Sequence, residues 1–417
     1  MTFSEELRWR GFIKDKTFDD ITWLDEPRIF YLGTDASADS LTIGNLAVYM
    51  LARQLAAHGW KAVLLVGGAT SLIGDPGGKD EERELKNQRE IEKNIQAVSD
   101  QVKRIFAGNE FTLVNNYEWF KDIGYLEFLR DVGKHYSMTE LMQRDFIAAR
   151  MGESGSGISY AEFSYSLIQG YDYWWLYTHM GVELQIGASD QWGNMLSGVP
   201  LIRKKEGKQV HALCMPLVID KATGRKFGKS EAGAVWLDLD KTSPTQFYQF
   251  WINCDDDRVE EFLKFYTMLS PTEIKEIMVT HTRDPKSRQA QVCLAREVTK
   301  LVHGQAELDR AAAITEVLVG NKDVSVLSSD VIEVMRRELS SVVAGPGAEL
   351  ADVLVQAGLA ESKTEARRFV AENAVAINGE KVQREQLEAG DFRNGRLLLR
   401  RGKAFKDTAL VEQKNSD

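Results

Sequence analysis

Two periodicities divide the chain. In its first half, short apolar runs alternate with longer stretches whose apolar residues return every three or four positions, as strands and helices do in a parallel sheet. Residues 28–33 and 61–68 read as buried strands, joined by a helix over residues 43–58 that Gly59 closes. That is one βαβ unit, right-handed by default. Residues 81–106 are charged with a helical period, residues 158–181 form an aromatic-rich helix, and 183–187 and 211–215 are further strands. The predicted fold class is therefore α/β, a Rossmann-like doubly wound parallel sheet over residues 1–222. A Gly-rich linking stretch at 223–243 follows, and residues 244–322 turn wholly helical. A looser segment at 323–347, containing Gly345 and Pro346, marks a boundary. Beyond it, residues 348–417 read as a small α+β domain. Ser362 and Glu365 there form a capping box, and short strands fall at 374–378 and 396–400. No internal repeat is found.

At 417 residues, several domains are expected. Apolar residues make up 43% and charged residues 27%, which suits a packed, folded protein. The three cysteines, Cys214, Cys254 and Cys293, lie far apart, so neither a disulfide framework nor a structural zinc site is expected. The first twenty residues lack an apolar core, and no long uninterrupted apolar run occurs. The expected location is the cytoplasm. A net charge of −10 argues weakly against a nucleic-acid partner, but the distribution is uneven. Residues 361–406 carry 11 Lys or Arg against 7 Asp or Glu. A basic C-terminal module on an acidic body fits a local RNA contact.

Four passages carry candidate chemistry. Residues 31–46 run from a strand into a helix whose start holds Gly44 and small hydroxyl residues, a place where free N–H groups and the helix dipole favour phosphate. Most such turns bind nothing, so the passage is weak alone. Residues 224–230, GRKFGKS, put two lysines in a glycine-bearing loop. A nucleotide-cradling P-loop needs four residues before its Gly-Lys pair, and here there are three. The passage at 74–80 fails the same test, because Ile73 stands where the first glycine belongs. A solvated basic loop is an equal reading. In residues 161–173, Tyr165, Gln169 and Asp172 share one helix face. A phenol, an amide and a carboxylate there suit a small ligand bearing an ammonium and a hydroxyl, although an ordinary polar face has the same pattern. The apolar neighbours Phe163, Leu167, Trp174 and Trp175 point to burial, which would require partners for those groups. In residues 185–194, a strand ends in a polar turn that places Asp190 and Gln191 where α/β sheets hold ligands. The six histidines show no ligand spacing, no Ser–His–Asp set is evident, and the nine tryptophans read mainly as core or interface.

Together these passages resemble class I aminoacyl-tRNA synthetases, and within them the tyrosyl enzymes of bacteria. The HIGH motif falls on Thr42, Ile43, Gly44 and Asn45, and the KMSKS motif on residues 226–230. The stretches 66–79, 128–137, 184–194, 241–253 and 297–304 are similar to tyrosyl-enzyme sequence, and the segment from about 348 resembles an S4-type RNA-binding domain. The resemblance implies that Tyr31 and Asp172 hold the phenol hydroxyl of tyrosine. Asp75, Tyr165 and Gln169 hold its ammonium group, with Gln191 nearby. Gly33, Asp35, Ser37, Thr42, Gly44, Asn45 and Asp190 line the ATP side. Lys226, Lys229 and Ser230, with Thr42 and Asn45, serve catalysis at the pyrophosphate. ATP is expected as substrate with Mg²⁺ and no tightly bound protein metal. Residues 244–322 become an anticodon-binding-type domain, and Lys363, Arg367 and Arg368 candidate RNA contacts. A homodimer bridged by one tRNA is implied as well. The chain departs from the family at Thr42 and Asn45, where histidines are usual, and at Ala36, where proline is common. Thr and Asn still donate hydrogen bonds, but neither can be cationic. Two rivals follow: a paralogue that passes tyrosyl-adenylate to another acceptor, and an RNA-binding protein that has lost catalysis.

Overall fold

The computed structural model describes residues 1–76, 86–151, 157–219, 227, 229–230, 233–319, 322–402 and 407–414. The chain forms two compact units, Met1–Lys241 with Asp256–Ala290, and Thr242–Asp255 with Gln291–Asp417.

The first unit is built on six strands: β1 (Asp15–Lys16), β2 (Ile29–Asp35), β3 (Lys61–Gly67), β4 (Phe111–Val114), β5 (Leu184–Ala188) and β6 (His211–Met215). Their order is β1-β6-β5-β2-β3-β4. All neighbours run parallel except β1, which pairs antiparallel with β6 at the edge. The central strands are apolar without alternation, and β3 is buried at every residue after Lys61, because helices cover both faces of the sheet. The helix Ile43–Ala57 leads from β2 to β3, and Gln88–Ile105 leads towards β4. The longest helix, Tyr160–Met180, starts at a Ser159/Glu162 capping box and stops at Gly181, whose φ of 71° glycine adopts without strain. Its residues Tyr173 and Leu176 pack on Tyr31, Val63 and Leu65 of the sheet.

Residues 244–319 are helical as expected, in the runs Pro244–Ile252, Val259–Tyr266, Pro271–Arg283, Gln289–His303 and Gln305–Leu318. They do not form one domain. Val259–Tyr266 and Pro271–Arg283 belong to the first unit, where Phe265 meets Phe12 at 5.3 Å and Arg10 donates to the carbonyl of Leu269 at 2.5 Å.

The second unit contains a mixed sheet of β9 (Ser340–Ala344), β10 (Val375–Ile377), β11 (Glu380–Lys381), β12 (Arg396–Arg401) and β13 (Thr408–Gln413), in the order β11-β10-β12-β13-β9. Only β13 and β9 pair in parallel. The expected linker at 323–347 is corrected here. It holds a helix, Ser329–Glu338, and strand β9, and its Val331, Ile332, Met335 and Leu339 share a core with Ile314, Leu318, Leu398 and Leu410. Residues 314–318 and 324–339 are therefore parts of one folded body with the C-terminal sheet, and the expected boundaries at 322 and 347 do not divide it.

Candidate active site

Strand order reverses between β2 and β5, and open α/β sheets take ligands at the carboxyl ends of strands beside such a reversal. Tyr31, Gly33 and Asp35 lie along β2. Asp190 and Gln191 occupy the short turn Ser189–Gln191 directly after β5. Asp75 follows the helix Gly68–Ile73, which continues from β3. The helix Tyr160–Met180 adds Tyr165 and Asp172, both buried, and Gln169, half-buried.

Asp172 is 2% exposed. It accepts from Nδ2 of Asn116 at 3.0 Å and from Nε1 of Trp119 at 2.8 Å. Burial nonetheless pushes its carboxyl up to about 8, with the charge of Asp35 adding to the rise and the two donors opposing it. Among the described residues the buried Tyr31 hydroxyl has no hydrogen-bond partner. Burial first, and then the nearby Asp172, keep that phenol protonated far above its usual range. Tyr165 donates to Oδ2 of Asp35 at 2.6 Å. Asp75 accepts from Nε2 of Gln191 at 2.5 Å and from Nδ2 of Asn194 at 3.2 Å. The ionisable groups bearing on Tyr165 are Asp35, Asp75 and Asp172, so carboxylates set the field. Such a pocket favours a cationic ligand, and a buried phenol beside a buried carboxylate is a donor and acceptor pair matched to a hydroxyl.

Thr42 is the N-cap of the helix Ile43–Ala57. Its N–H and its hydroxyl both donate to Oδ1 of Asn45, each at 2.9 Å. That pairing occupies the carboxamide oxygen and leaves the NH₂ of exposed Asn45 as the donor at the helix start beside Gly44. The backbone after 234 runs alongside: Ile43 N–H donates to Val235 at 3.1 Å and Leu237 N–H to Leu41 at 2.8 Å. Between Phe227 and this tie stands a hairpin of β7 (Lys229–Ser230) and β8 (Gly233–Ala234). Phe227 itself packs tilted against Phe262, centroids 4.4 Å apart, and its carbonyl oxygen lies 3.8 Å from where a Cβ on Gly44 would sit. Phe227, from the passage 224–230, thus lies close to Gly44 of the passage 31–46. Lys226 lies outside the described residues. Ser37 is exposed in the passage between β2 and this helix.

Residues 24–320 match the family described as tRNA synthetases class I (W and Y), and residues 332–406 match the Tyrosine--tRNA ligase SYY-like C-terminal domain. Over 97% of its length the chain is 42% identical to a tyrosine–tRNA ligase of Listeria monocytogenes serotype 4a, covering 98% of that protein. The chain belongs to the class I tyrosyl-tRNA synthetases. It is also 40% identical to tyrosine–tRNA ligase 2 of Bacillus cereus, over 99% of this chain and 100% of that one. A C-terminally truncated mitochondrial tyrosyl-tRNA synthetase of Aspergillus nidulans superimposes with a TM-score of 0.68 at 31% identity, over 76% of this chain and 93% of that one.

Sequence reasoning missed the residues that hold the candidate groups. Asn116 and Trp119 grip Asp172, and Asn194 grips Asp75. Trp119 lies in the core, as expected of the tryptophans, and its indole N–H is in addition spent on the site. The only signal was faint: the pair Asn115–Asn116 after the short, mainly apolar stretch 111–114. In the second unit, Lys363, Arg367 and Arg368 are exposed on the helix Lys363–Ala371, and each is paired with an acid: Asp352 at 2.5 Å, Glu349 at 3.2 Å and Glu365 at 3.5 Å. Exposed pairs of this kind are weak and exchange readily for phosphate.

Proposed function

We propose that the chain activates L-tyrosine with ATP to tyrosyl-adenylate and pyrophosphate, then transfers the tyrosyl group to the 3′ end of tyrosine tRNA with release of AMP. One observation carries this reading: a buried Tyr31 hydroxyl, without a hydrogen-bond partner among the described residues, beside the buried Asp172 carboxyl in a pocket that also holds Asp35 and Asp75. The phenol of tyrosine satisfies the first pair, and its ammonium satisfies the field near Asp75, Tyr165, Gln169 and Gln191. The tyrosine carboxylate attacks the α-phosphate in line, so no side-chain nucleophile is needed and the protein supplies position and charge stabilisation. ATP enters with magnesium on its phosphates. It lies along Gly33, Asp35, Ser37, Gly44 and Asp190, with its pyrophosphate between Asn45 at the helix start and Lys226, Lys229 and Ser230. Lys363, Arg367 and Arg368 contribute positive charge towards the tRNA.

The working form is a homodimer. Tyr125, Leu126, Met138, Met142, Met151 and Tyr160 are exposed apolar residues of the first unit, and the hydroxyls of Tyr125 and Tyr160 lie 3.5 Å apart. Apolar side chains in this number invite a partner surface. Among the described residues no helix is long and apolar enough to cross a membrane, which is compatible with work in the cytoplasm. Exchange of labelled pyrophosphate into ATP tests the activity: it should depend on tyrosine, and exchange that ignores tyrosine would overturn the assignment.

A further inference from the structure

Asp172 holds its place through two donors, and one of them belongs to a stack of rings. Trp119 sits in a single helical turn, Tyr117–Phe120, too short to fix an indole by its own backbone. The ring is positioned from outside. Trp175 stacks on it with centroids 4.2 Å apart and planes at 13°, and His179 stacks on the outer face of Trp175 at 4.3 Å and 9°. The His179 ring is itself anchored, with Nδ1 2.9 Å from both the Trp175 carbonyl oxygen and Oγ1 of Thr178. Asp172, Trp175 and His179 follow one another at i, i+3 and i+7 on the helix Tyr160–Met180, so one face of one helix presents the carboxylate and the rings that brace its donor.

We infer that Trp175, backed by His179, is a specificity-positioning residue: its ring holds the Trp119 indole in the orientation that keeps the N–H on Asp172. The inference rests on the tyrosine pocket proposed above. The indole is held at two places by the same helix, at its N–H edge by Asp172 and on its face by Trp175. Swinging the ring breaks both contacts together. Without the brace the indole has freedom to tilt, and an N–H···O bond weakens steeply as it bends. Asp172 then keeps Asn116 but loses its fixed second donor, and its acceptor lone pairs are no longer aimed at the substrate hydroxyl. Tyrosine is sensitive to that loss; phenylalanine, which has no hydroxyl, is not. A residue that merely filled space would affect both amino acids alike.

The experiment is pyrophosphate exchange by the full chain with tyrosine and with phenylalanine, giving the ratio of the two kcat/KM values. Thermal unfolding is recorded on the same samples. Trp119→Phe keeps the ring and deletes the N–H, and should lower the ratio the most. Trp175→Leu should lower it about two- to tenfold, the scale of one aromatic pair, through a higher KM for tyrosine with the phenylalanine constants little changed. Trp175→Phe restores a flat face and should recover most of the loss. If Trp175→Leu does not fold, His179→Ala at its exposed position takes its place, with a smaller fall of the ratio in the same direction. An unchanged ratio in the folded variant, or a Trp175→Phe protein as impaired as Trp175→Leu, overturns the inference. A wild-type enzyme with no preference for tyrosine would instead overturn the pocket itself.

Discussion

In the function proposed above, selection of tyrosine turns on Asp172, and it is an uncomfortable residue to bury. Its carboxyl, ordinarily near 3.8, is raised to about 8 by desolvation, so the free protein binds a proton there that the unfolded chain has already released. Between roughly pH 4 and pH 8 the folded state holds more protons at this position, and its stability therefore falls as pH rises through that window. Asp172→Asn lacks the titration. Scanning calorimetry of the unliganded proteins at pH 5 and pH 8.5 should show the melting temperature of the variant gaining on the wild type as pH rises; a constant gap would mean that Asp172 is ionised throughout. The same substitution should cost activity. Asp172→Ala leaves the Asn116 and Trp119 donors without their acceptor and offers the substrate hydroxyl nothing, so preference for tyrosine over phenylalanine in exchange kinetics should collapse, and normal preference would place the pocket elsewhere. Thr42 and Asn45 belong together, because the Thr42 hydroxyl is already spent on the Asn45 carboxamide. Thr42→Ala leaves that carboxamide held by the backbone N–H of residue 42 alone, and Asn45→Ala removes its NH₂ donor. A hydrogen bond to a charged group contributes about 1.5–3 kcal/mol, or about ten- to hundredfold in rate. Each variant should slow adenylate formation within that range with little change in tyrosine affinity, and the double variant should be little worse than Asn45→Ala. Fully additive losses in stopped-flow traces would show two independent contacts.

Elements of low sequence contrast decide what could be read in advance. The mainly apolar strands β2, β3, β5 and β6 and the long helix Tyr160–Met180 were legible because their patterns extend over enough residues. β1 and β4 were not, since two and four residues carry too little period to separate from loop. β9 was hidden for another reason: four of its five residues are partly or fully exposed, and it pairs with a strand 68 residues later, so its order comes from β13 and not from its own composition. The candidate site followed the same rule. Tyr31 lies within a clear strand, Asp190 follows one and Asp172 stands on a clear helix face, whereas Asn116 and Trp119 follow a strand too short to read from its period alone. The buried pair Arg150–Glu162 was equally invisible. The guanidinium meets the carboxylate at 2.8 and 3.0 Å, with side chains 7% and 3% exposed, tying the end of the helix Asp145–Met151 to the start of Tyr160–Met180. Glu162→Gln leaves Arg150 without its counter-charge. It should lower stability in urea by about 3–5 kcal/mol, and a loss below 1 kcal/mol would show that water replaces the pair.

At the scale of the molecule, a sequence-based boundary near residue 321 does not coincide with a structural one. A chain ending there keeps the whole first unit but strips Ile314, Val317 and Leu318 of the cover supplied by Val331, Ile332 and Met335. Such a protein should still catalyse tyrosine-dependent pyrophosphate exchange, and should lose most tRNA charging because the basic segment 361–406 is gone. Charging by the full chain should also weaken as salt rises, as phosphate contacts do. Full charging by the shortened chain would remove the C-terminal sheet from RNA recognition. The central claim joins both units: one polypeptide selects tyrosine through Tyr31 and Asp172 and delivers it to RNA, with Thr42 and Asn45 serving where histidines are usual. The direct measurement is attachment of labelled tyrosine to purified tyrosine tRNA by the full chain with ATP and magnesium. Base-labile tyrosyl-tRNA should accumulate with tyrosine and not with phenylalanine; adenylate formation without any transfer to RNA, or no adenylate at all, would contradict the account.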